Sequence, residues 1–154
     1  MEKATKIVFR PMEPEDLEPC VDLYRVVYRQ RPWREDWKHS VTKRRLEEIF
    51  GAPNRFCYGA WEDQDLVAFC LGTLITRADR LSAQIAEIGV DPQQNQLLIG
   101  RGLLRYVLEQ FAERGVKSVQ ATSQTNSPAF QWLQEAGFHM SRHYVLMVHR
   151  MGET

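Results

Sequence analysis

The chain has 154 residues, of which 44% are hydrophobic and 26% are charged, and its 20 basic side chains balance 20 acidic ones. This length and composition predict one soluble globular domain spanning residues 1–154. The absence of net charge excludes a global attraction to nucleic acid or to an anionic membrane surface. No run of about 18 apolar residues occurs, so no transmembrane helix is expected. The first residues also lack the apolar core of a signal peptide.

The periodicity of the first half predicts a strand, two helices and a hairpin. The strand covers 7–12, the first helix runs from 17 to about 29, and the second begins at an N-cap Ser40 and ends near Gly51. The basic run Lys43-Arg44-Arg45 precedes two glutamates and predicts a solvated face of that helix. Strands at 55–61 and 66–76 then flank an acidic turn.

The second half predicts two further helices and three strands. A strand at 81–90 precedes a helix to about residue 114, which Gly115 ends. A short strand at 116–123 follows, then a helix capped by Asn126 or Ser127, and a final β segment at 138–150. This order of elements is typical of an α/β chain with a mixed sheet.

Three cysteines, an odd number, favour a reducing cytoplasm. Cys57 and Cys70 lie symmetrically about the turn at 62–65, so a hairpin would place them opposite each other. A disulfide and two reduced core side chains both fit this placement, and the compartment favours reduced thiols. No cysteine and histidine cluster has the spacing of a metal site, so no metal is expected.

A polar loop joins Val90-Asp91-Pro92 to Gly100-Arg101-Gly102 at the start of an amphipathic helix. A helix that begins on a glycine-containing loop presents unpaired backbone N–H groups at its positive end, and that geometry binds phosphate. The sequence therefore predicts an anion site in the middle of the chain, with Arg101 beside it.

Two motifs now combine with the order of elements. One is Val-Asp-Pro, the polar loop and Ile-Gly-Arg-Gly-Leu-Leu at 99–104, and the other is Asn126-Ser127-Pro128-Ala129 with Gly137-Phe138 eleven residues after Asn126. Over essentially the whole chain this resembles the GNAT superfamily of acyl-CoA-dependent N-acetyltransferases. The resemblance implies a single-domain α/β (α+β) fold. Its mixed, mostly antiparallel sheet would have six or seven strands and be flanked by about four helices.

The resemblance also implies acetyl-CoA as co-substrate, with its diphosphate on main-chain N–H groups between residues 95 and 101. The implied cofactor-binding residues are Ile88, Gly89, Val90, Asn95, Gln96, Leu97, Leu98, Ile99, Gly100, Arg101, Gly102 and Asn126. The loop departs from the family pattern. Asn95, or Leu97 in an alternative count, replaces the family's Arg or Gln, and Leu98 replaces its first glycine. We therefore expect weaker binding of the cofactor than an intact loop gives.

The chemistry implied is direct transfer of an acetyl group to a primary amine through a ternary complex, with a backbone N–H near Val90 stabilising the oxyanion. Glu87 is the candidate base, and an outward-facing charge on a strand edge is the alternative. Leu133 stands where the family usually has a tyrosine general acid. Tyr144 or His143 is then the candidate proton donor, and a purely structural role is the alternative for each.

The acceptor side would be formed by Tyr28, Trp33, Trp37 and the final β segment. The two tryptophans, four residues apart, fit either a helical stripe packed on the core or an aromatic wall around an amine. The expected partners are acetyl-CoA and a small-molecule or protein amine, without nucleic acid or membrane, and a homodimer is among the assemblies left open. The alternative function is a catalytically weak or inactive GNAT-like module that binds acyl-CoA or regulates a partner.

Overall fold

The computed structural model describes residues 6–152. One sheet contains, in spatial and chain order, β1 (Ile7–Pro11), β2 (Arg55–Glu62), β3 (Asp65–Thr76), β4 (Leu81–Val90) and β5 (Val116–Ala121). The first three pairings are antiparallel, and β4 pairs with β5 in parallel. The helices are α1 (Leu17–Arg29), α2 (His39–Phe50), α3 (Gln96–Glu113) and α4 (Pro128–Glu135), and a 3₁₀ turn at Pro14–Asp16 precedes α1.

The sheet separates two apolar layers because successive residues of a strand point to opposite faces. On one face α3 and α4 bury side chains such as Leu104, Phe111 and Trp132 against β2, β3 and β4. On the other face α1 and α2 pack Val27 and Leu46 against β3. Within residues 6–152, none of the helices is long and apolar enough to cross a bilayer.

The helix boundaries follow local signals closely. α1 covers the predicted residues, and α4 is capped by Ser127, whose Oγ accepts the N–H of Phe130 (3.3 Å). Gly115 and Gly137 follow α3 and α4 with φ of 80° and 100°, conformations that glycine adopts without strain. The predicted cap of α2 is wrong, since the helix begins at His39 with Lys38 as its N-cap.

The β2–β3 hairpin forms as predicted, but Cys57 and Cys70 are not opposite each other. A register shift between Ala60 and Trp61 moves the pairing by one residue, so Cys57 faces Leu71 and Cys70 faces Tyr58. The two thiols consequently lie in the two different apolar layers. All three cysteines are free and buried.

The mixed, mostly antiparallel sheet confirms the fold class, although within residues 6–152 it has five strands where six or seven were expected. The difference lies in the predicted final β segment, because residues 138–152 form neither helix nor strand. Phe138 packs against the α3/α4 layer, partly buried. The large apolar side chains beyond it are exposed: Met140, Tyr144, Val145, Leu146, Met147, Val148 and Met151. A β pattern gives a strand only when a second strand supplies its hydrogen bonds, and none does so here.

Candidate active site

The gap between β4 and β5 is the feature that organises the site. These strands pair only from Leu81 to Ile85 on β4, and the rest of β4 is paired with β3 alone. The N–H of Asp91 donates to the Val67 carbonyl of β3 (2.8 Å). Strand alternation therefore directs the backbone groups of Ile88 and Val90 away from β3 and into the gap. The open edge of β4 thus offers main-chain donors and acceptors.

Glu87 lies on the α1/α2 side of β4, where its carboxylate accepts four hydrogen bonds. Oε1 accepts from Tyr24 Oη (3.2 Å) and from Nε and Nη2 of Arg45 (3.3 and 3.1 Å). Oε2 accepts from Tyr28 Oη (2.5 Å). Only 13% of the Glu87 side chain is exposed, so the ion pair with Arg45 is largely shielded from water. Sequence analysis missed this partner, having assigned Arg45 to a solvated helix face.

The electrostatics keep all three donors of this cluster protonated. Burial, followed by the charge of Glu87, raises the pKa of Tyr28 well above its ordinary value, and the same two causes raise the pKa of Tyr24. Burial opposes the charge of Arg45, but its hydrogen bonds with Glu87 outweigh this and raise its pKa. The cluster is therefore a carboxylate held by two neutral phenols and one cation.

Aromatic rings surround the Glu87 cluster. Trp37 packs edge-on against Tyr24 (5.0 Å between centroids), and Trp33 does the same against Tyr28 (4.9 Å). Both tryptophans lie in the connection between α1 and α2, so they form no helical stripe, although both pack on the α1/α2 core as that interpretation expected. Arg25 Nε donates to the carbonyl of Trp37 (2.6 Å) and holds that connection in place. The arrangement is an aromatic wall beside a carboxylate.

The N-terminus of α3 lies at the other end of the open edge and begins earlier than predicted. Asn95 is the N-cap: its Oδ1 accepts the N–H of Leu98 (3.1 Å), and its carbonyl accepts that of Ile99 (3.0 Å). This leaves the N–H groups of Gln96 and Leu97 as the donors of the first turn that have no partner within the helix. The anion donors are thus fewer than the seven residues 95–101 assumed from sequence.

Gly100 and Gly102 lie inside α3 and not in the loop, which corrects their predicted placement. A Cβ at Gly100 would lie 2.4 Å from the Trp132 ring, and one at Gly102 would lie 2.7 Å from the ring of Phe9. Both glycines allow α3 to pack closely on its neighbours. Arg101 forms a two-point ion pair with Glu135 of α4 (2.5 and 2.9 Å), so its guanidinium joins two helices.

Two other arginines line a groove at the start of α4. A groove of about 720 Å³ is lined by Arg31 and Arg34 on one side and by Asn126 at the start of α4 on the other. Gln96 Nε2 donates to Gln30 Oε1 (3.2 Å) and to the Val90 carbonyl (3.0 Å), which joins this arginine segment to α3 and β4. In the sequence, Arg31 and Arg34 follow the end of the first predicted helix. This pair of basic residues is the signal that could have indicated an anion site there.

The remaining predicted residues differ in burial. Ile88, Gly89 and Val90 are buried in β4, whereas the Leu98 side chain is 65% exposed. Tyr144 is 81% exposed and outside the Glu87 cluster. Leu133 is buried in the α3/α4 layer, so that position supplies no proton donor. Across residues 6–152 the structure shows no group of three or more His, Cys, Asp or Glu side chains arranged to hold a metal ion.

Residues 20–138, most of the chain, match the sequence profile of the Acetyltransferase (GNAT) family. The protein therefore belongs to this family, whose members use acetyl-CoA as acetyl donor. This membership supports acyl-CoA-dependent acetyl transfer as the general activity of the chain. No protein with a curated description matches the sequence significantly.

Solved structures share the fold at low sequence identity. A transcriptional regulator from Bacillus halodurans has a TM-score of 0.76 and 20% identity, covering 94% of this chain and 100% of that one. An aminoglycoside N-acetyltransferase solved with CoA has a TM-score of 0.73 and 17% identity, covering 97% and 99%. An aminoglycoside acetyltransferase from a soil metagenomic sample, solved with sisomicin, has a TM-score of 0.73 and 14% identity, covering 94% and 96%.

Proposed function

We propose that this protein transfers an acetyl group from acetyl-CoA to a primary amine of a small molecule or a protein, directly within a ternary complex. The observation that carries the proposal is the separation of β4 from β5 after Ile85. This separation leaves an open strand edge between the Glu87 cluster and the N-terminus of α3. Family membership supports the acyl donor, and the aromatic wall supports an acceptor beside Glu87. The free, buried cysteines support a cytoplasmic location.

The donor side of the proposed site combines main chain and arginine. The N–H groups of Gln96 and Leu97 and the positive end of α3 would meet the diphosphate. Arg31 and Arg34 line the adjoining groove and would neutralise its charge. The backbone groups of Ile88 and the N–H of Val90, whose carbonyl already accepts Gln96 Nε2, would pair with the amides of the pantetheine arm, as a neighbouring strand would.

The acceptor amine must lose a proton as its nitrogen forms a bond to the thioester carbon and the C–S bond breaks. In our proposal Glu87 receives that proton, directly or through a water, at the acceptor capacity that its bonds with Tyr24, Tyr28 and Arg45 leave free. An N–H of the open β4 edge would stabilise the oxyanion. The leaving thiolate takes up one proton from water, because Tyr144 is 81% exposed and lies outside the Glu87 cluster.

A second candidate function is an acyl-CoA-binding module without turnover. Two observations favour it: Arg45 neutralises the candidate base, and Leu133 is an inert core side chain. This candidate shares the donor side of the site and differs only in the chemical step.

The test is thiol release from acetyl-CoA with a panel of primary amines that includes aminoglycosides and peptide N-termini, together with calorimetric titration of CoA. The enzyme hypothesis expects amine-dependent thiol release. CoA binding without turnover for any amine would favour the binding module, and no binding at all would overturn both. Replacing Arg31 and Arg34 with Ala should weaken CoA binding roughly tenfold, about 1.4 kcal/mol. The matched control, Arg29→Ala at the exposed end of α1, should leave binding unchanged.

A further inference from the structure

The charges of the Glu87 cluster sum to zero, which restricts the acceptors that the site would bind well. Glu87 is the anion and Arg45 is the cation. The phenols of Tyr24 and Tyr28 are neutral, because burial and then the charge of Glu87 raise their pKa values. The side chains of Glu87 and Arg45 are 13% and 33% exposed, so salt screens them less than a surface pair. A second ammonium group near Arg45 would therefore be repelled, and an anionic group there would be attracted.

The guanidinium of Arg45 has donors left for such an anion. Its Nε and Nη2 donate to Oε1 of Glu87 (3.3 and 3.1 Å), which leaves other N–H groups unused. Among the residues that the structure describes, Nη1 has only an ion pair with Oε2 of Glu48 at 3.6 Å, too long for a hydrogen bond. The Glu48 side chain is 61% exposed, and an exposed pair contributes little stability. The Nη1–Nη2 edge can therefore receive the two oxygens of a carboxylate in place of Glu48.

A groove beside the cluster offers a place for the rest of the acceptor. It has a volume of about 360 Å³, and Trp37 and Val41 line it. Its other lining residues are Glu35, Asp36 and Lys38. Trp37 packs edge-on against Tyr24, a partner of Glu87. Val41 precedes Arg45 by one helical turn on α2, so these two side chains lie on the same face of the helix. An apolar group on Trp37 and Val41 would therefore lie close to both charges of the cluster.

We propose that the preferred acceptor is an α-amino acid, whose amine lies at Glu87 and whose carboxylate lies on the Nη1–Nη2 edge of Arg45. This inference rests on the acetyl transfer proposed above and names its substrate class. An α-amino acid carries both charged groups on one carbon, and Glu87 and Arg45 are directly hydrogen-bonded, so the two pairs of opposite charges match at close spacing. Arg45 is then a residue that determines specificity, and it disfavours polycationic acceptors.

The first experiment compares two amino acids with the amines that lack their carboxylate: phenylalanine with phenethylamine, and leucine with 3-methylbutylamine. Thiol release from acetyl-CoA gives kcat/KM for each. The proposal expects the native protein to favour the amino acid of each pair roughly tenfold. Arg45→Gln should bring this ratio close to unity, and Arg45→Lys, which keeps the positive charge, should retain part of the preference. The matched control Arg44→Gln, exposed on the same helix, should keep the native ratio.

The ratio of the two substrates is the informative quantity, because an effect of Arg45 on proton transfer at Glu87 acts on both substrates and cancels. A native preference for the amines, or a ratio that Arg45→Gln leaves unchanged, would overturn the proposal while the acetyl transfer itself stands. Transfer to other amines but to neither amino acid would overturn it in the same way. Absence of thiol release with every amine, although CoA binds, would refute the transfer and this inference with it.

The second experiment measures binding without turnover. Calorimetry titrates phenylalanine and phenethylamine into the protein saturated with CoA. The proposal expects phenylalanine to bind roughly tenfold more tightly than phenethylamine. Glu48→Gln removes the carboxylate that competes for Nη1, so it should increase the affinity for phenylalanine by about threefold and leave that for phenethylamine unchanged. Equal affinities of the native protein for the two compounds would overturn the proposal.

Discussion

The two faces of the sheet differ in what they bury. On the α1/α2 face, the Glu87 carboxylate, two tyrosines and Arg45 lie beside the aromatic wall. The α3/α4 face is an apolar layer in which glycines allow the helices to pack closely. The ion pair on the second face, Arg101 with Glu135, lies at its surface. The two faces therefore have different roles. The first face positions groups that can move a proton, and the second fixes α3 so that its N-terminus lies beside the open β4 edge.

The largest effect on activity is expected from Glu87→Gln on the α1/α2 face. The amide keeps the shape of the side chain but accepts no proton from the amine, so kcat should fall by roughly 100-fold with little change in KM. Steady-state kinetics with the best amine of the panel measures this change. The control Glu47→Gln, exposed on α2, should match the native enzyme. Native kcat in the Glu87 variant would rule out a role for this carboxylate in proton transfer.

A substitution on the α3/α4 face should change the free energy of unfolding. Gly100→Ala adds a methyl group that would lie 2.4 Å from the Trp132 ring, so the free energy of unfolding should fall by about 1–3 kcal/mol. Urea denaturation measures the loss. Combining it with Trp132→Leu should give a smaller loss than the sum of the two single variants, because the smaller side chain makes room for the methyl group. Strict additivity would mean that the contact with Trp132 is not the cause.

Substitutions of Asn95 and Asn126 distinguish a residue that stabilises a helix from one that binds CoA. Asn95→Ala removes the cap of α3 and should lower the free energy of unfolding by about 1 kcal/mol. Asn126 lines the arginine groove and is not the cap of α4. Asn126→Ala should therefore stay within about 0.5 kcal/mol of the native stability but weaken CoA binding. Chemical denaturation and calorimetry distinguish the two, and the reverse pattern would show that the roles are interchanged.

A further prediction concerns the pH dependence of stability and the Cys57 thiol on the α1/α2 face. Burial raises the pKa of Cys57 from 9.0 to about 11, with the charge of Arg55 opposing it. Because the folded pKa is the higher one, this stabilising contribution is complete below pH 9 and is lost as the pH rises to about 11. The stability difference between the native protein and Cys57→Ala should therefore narrow between pH 8 and about pH 10.5. A constant difference in urea midpoints would contradict the raised pKa.

Much of the fold was predictable because its signals are local. The glycines after α3 and α4, the Ser127 cap and the turn between β2 and β3 each depend on a few adjacent residues, and the structure confirms them. The family could be identified from the sequence for the same reason, because its motifs are short. Local signals failed at Ser40 and at Gly100, where the helix begins earlier than the strongest nearby sequence feature indicates.

The candidate site was predictable only in part. Glu87 was identified as a candidate from its place near the end of β4. Its partners Tyr24 and Arg45 are 63 and 42 residues away in the chain, and their spacing fits an ordinary helix equally well. Arg31 and Arg34 became candidates only when the structure placed them across a groove from Asn126. Side chains from distant segments form such sites, and no single segment shows the arrangement.

The sequence by itself determined the order of elements from β1 to α4, most of their ends and the family, because backbone propensity, apolar periodicity and short motifs act over a few residues. Only the tertiary structure decided the register of the β2–β3 hairpin, the hydrogen bonds of Glu87 and the absence of a strand at 138–152. Each of these depends on a partner elsewhere in space. A one-residue bulge moves every later pair of a hairpin, and a strand forms only where another backbone accepts its hydrogen bonds.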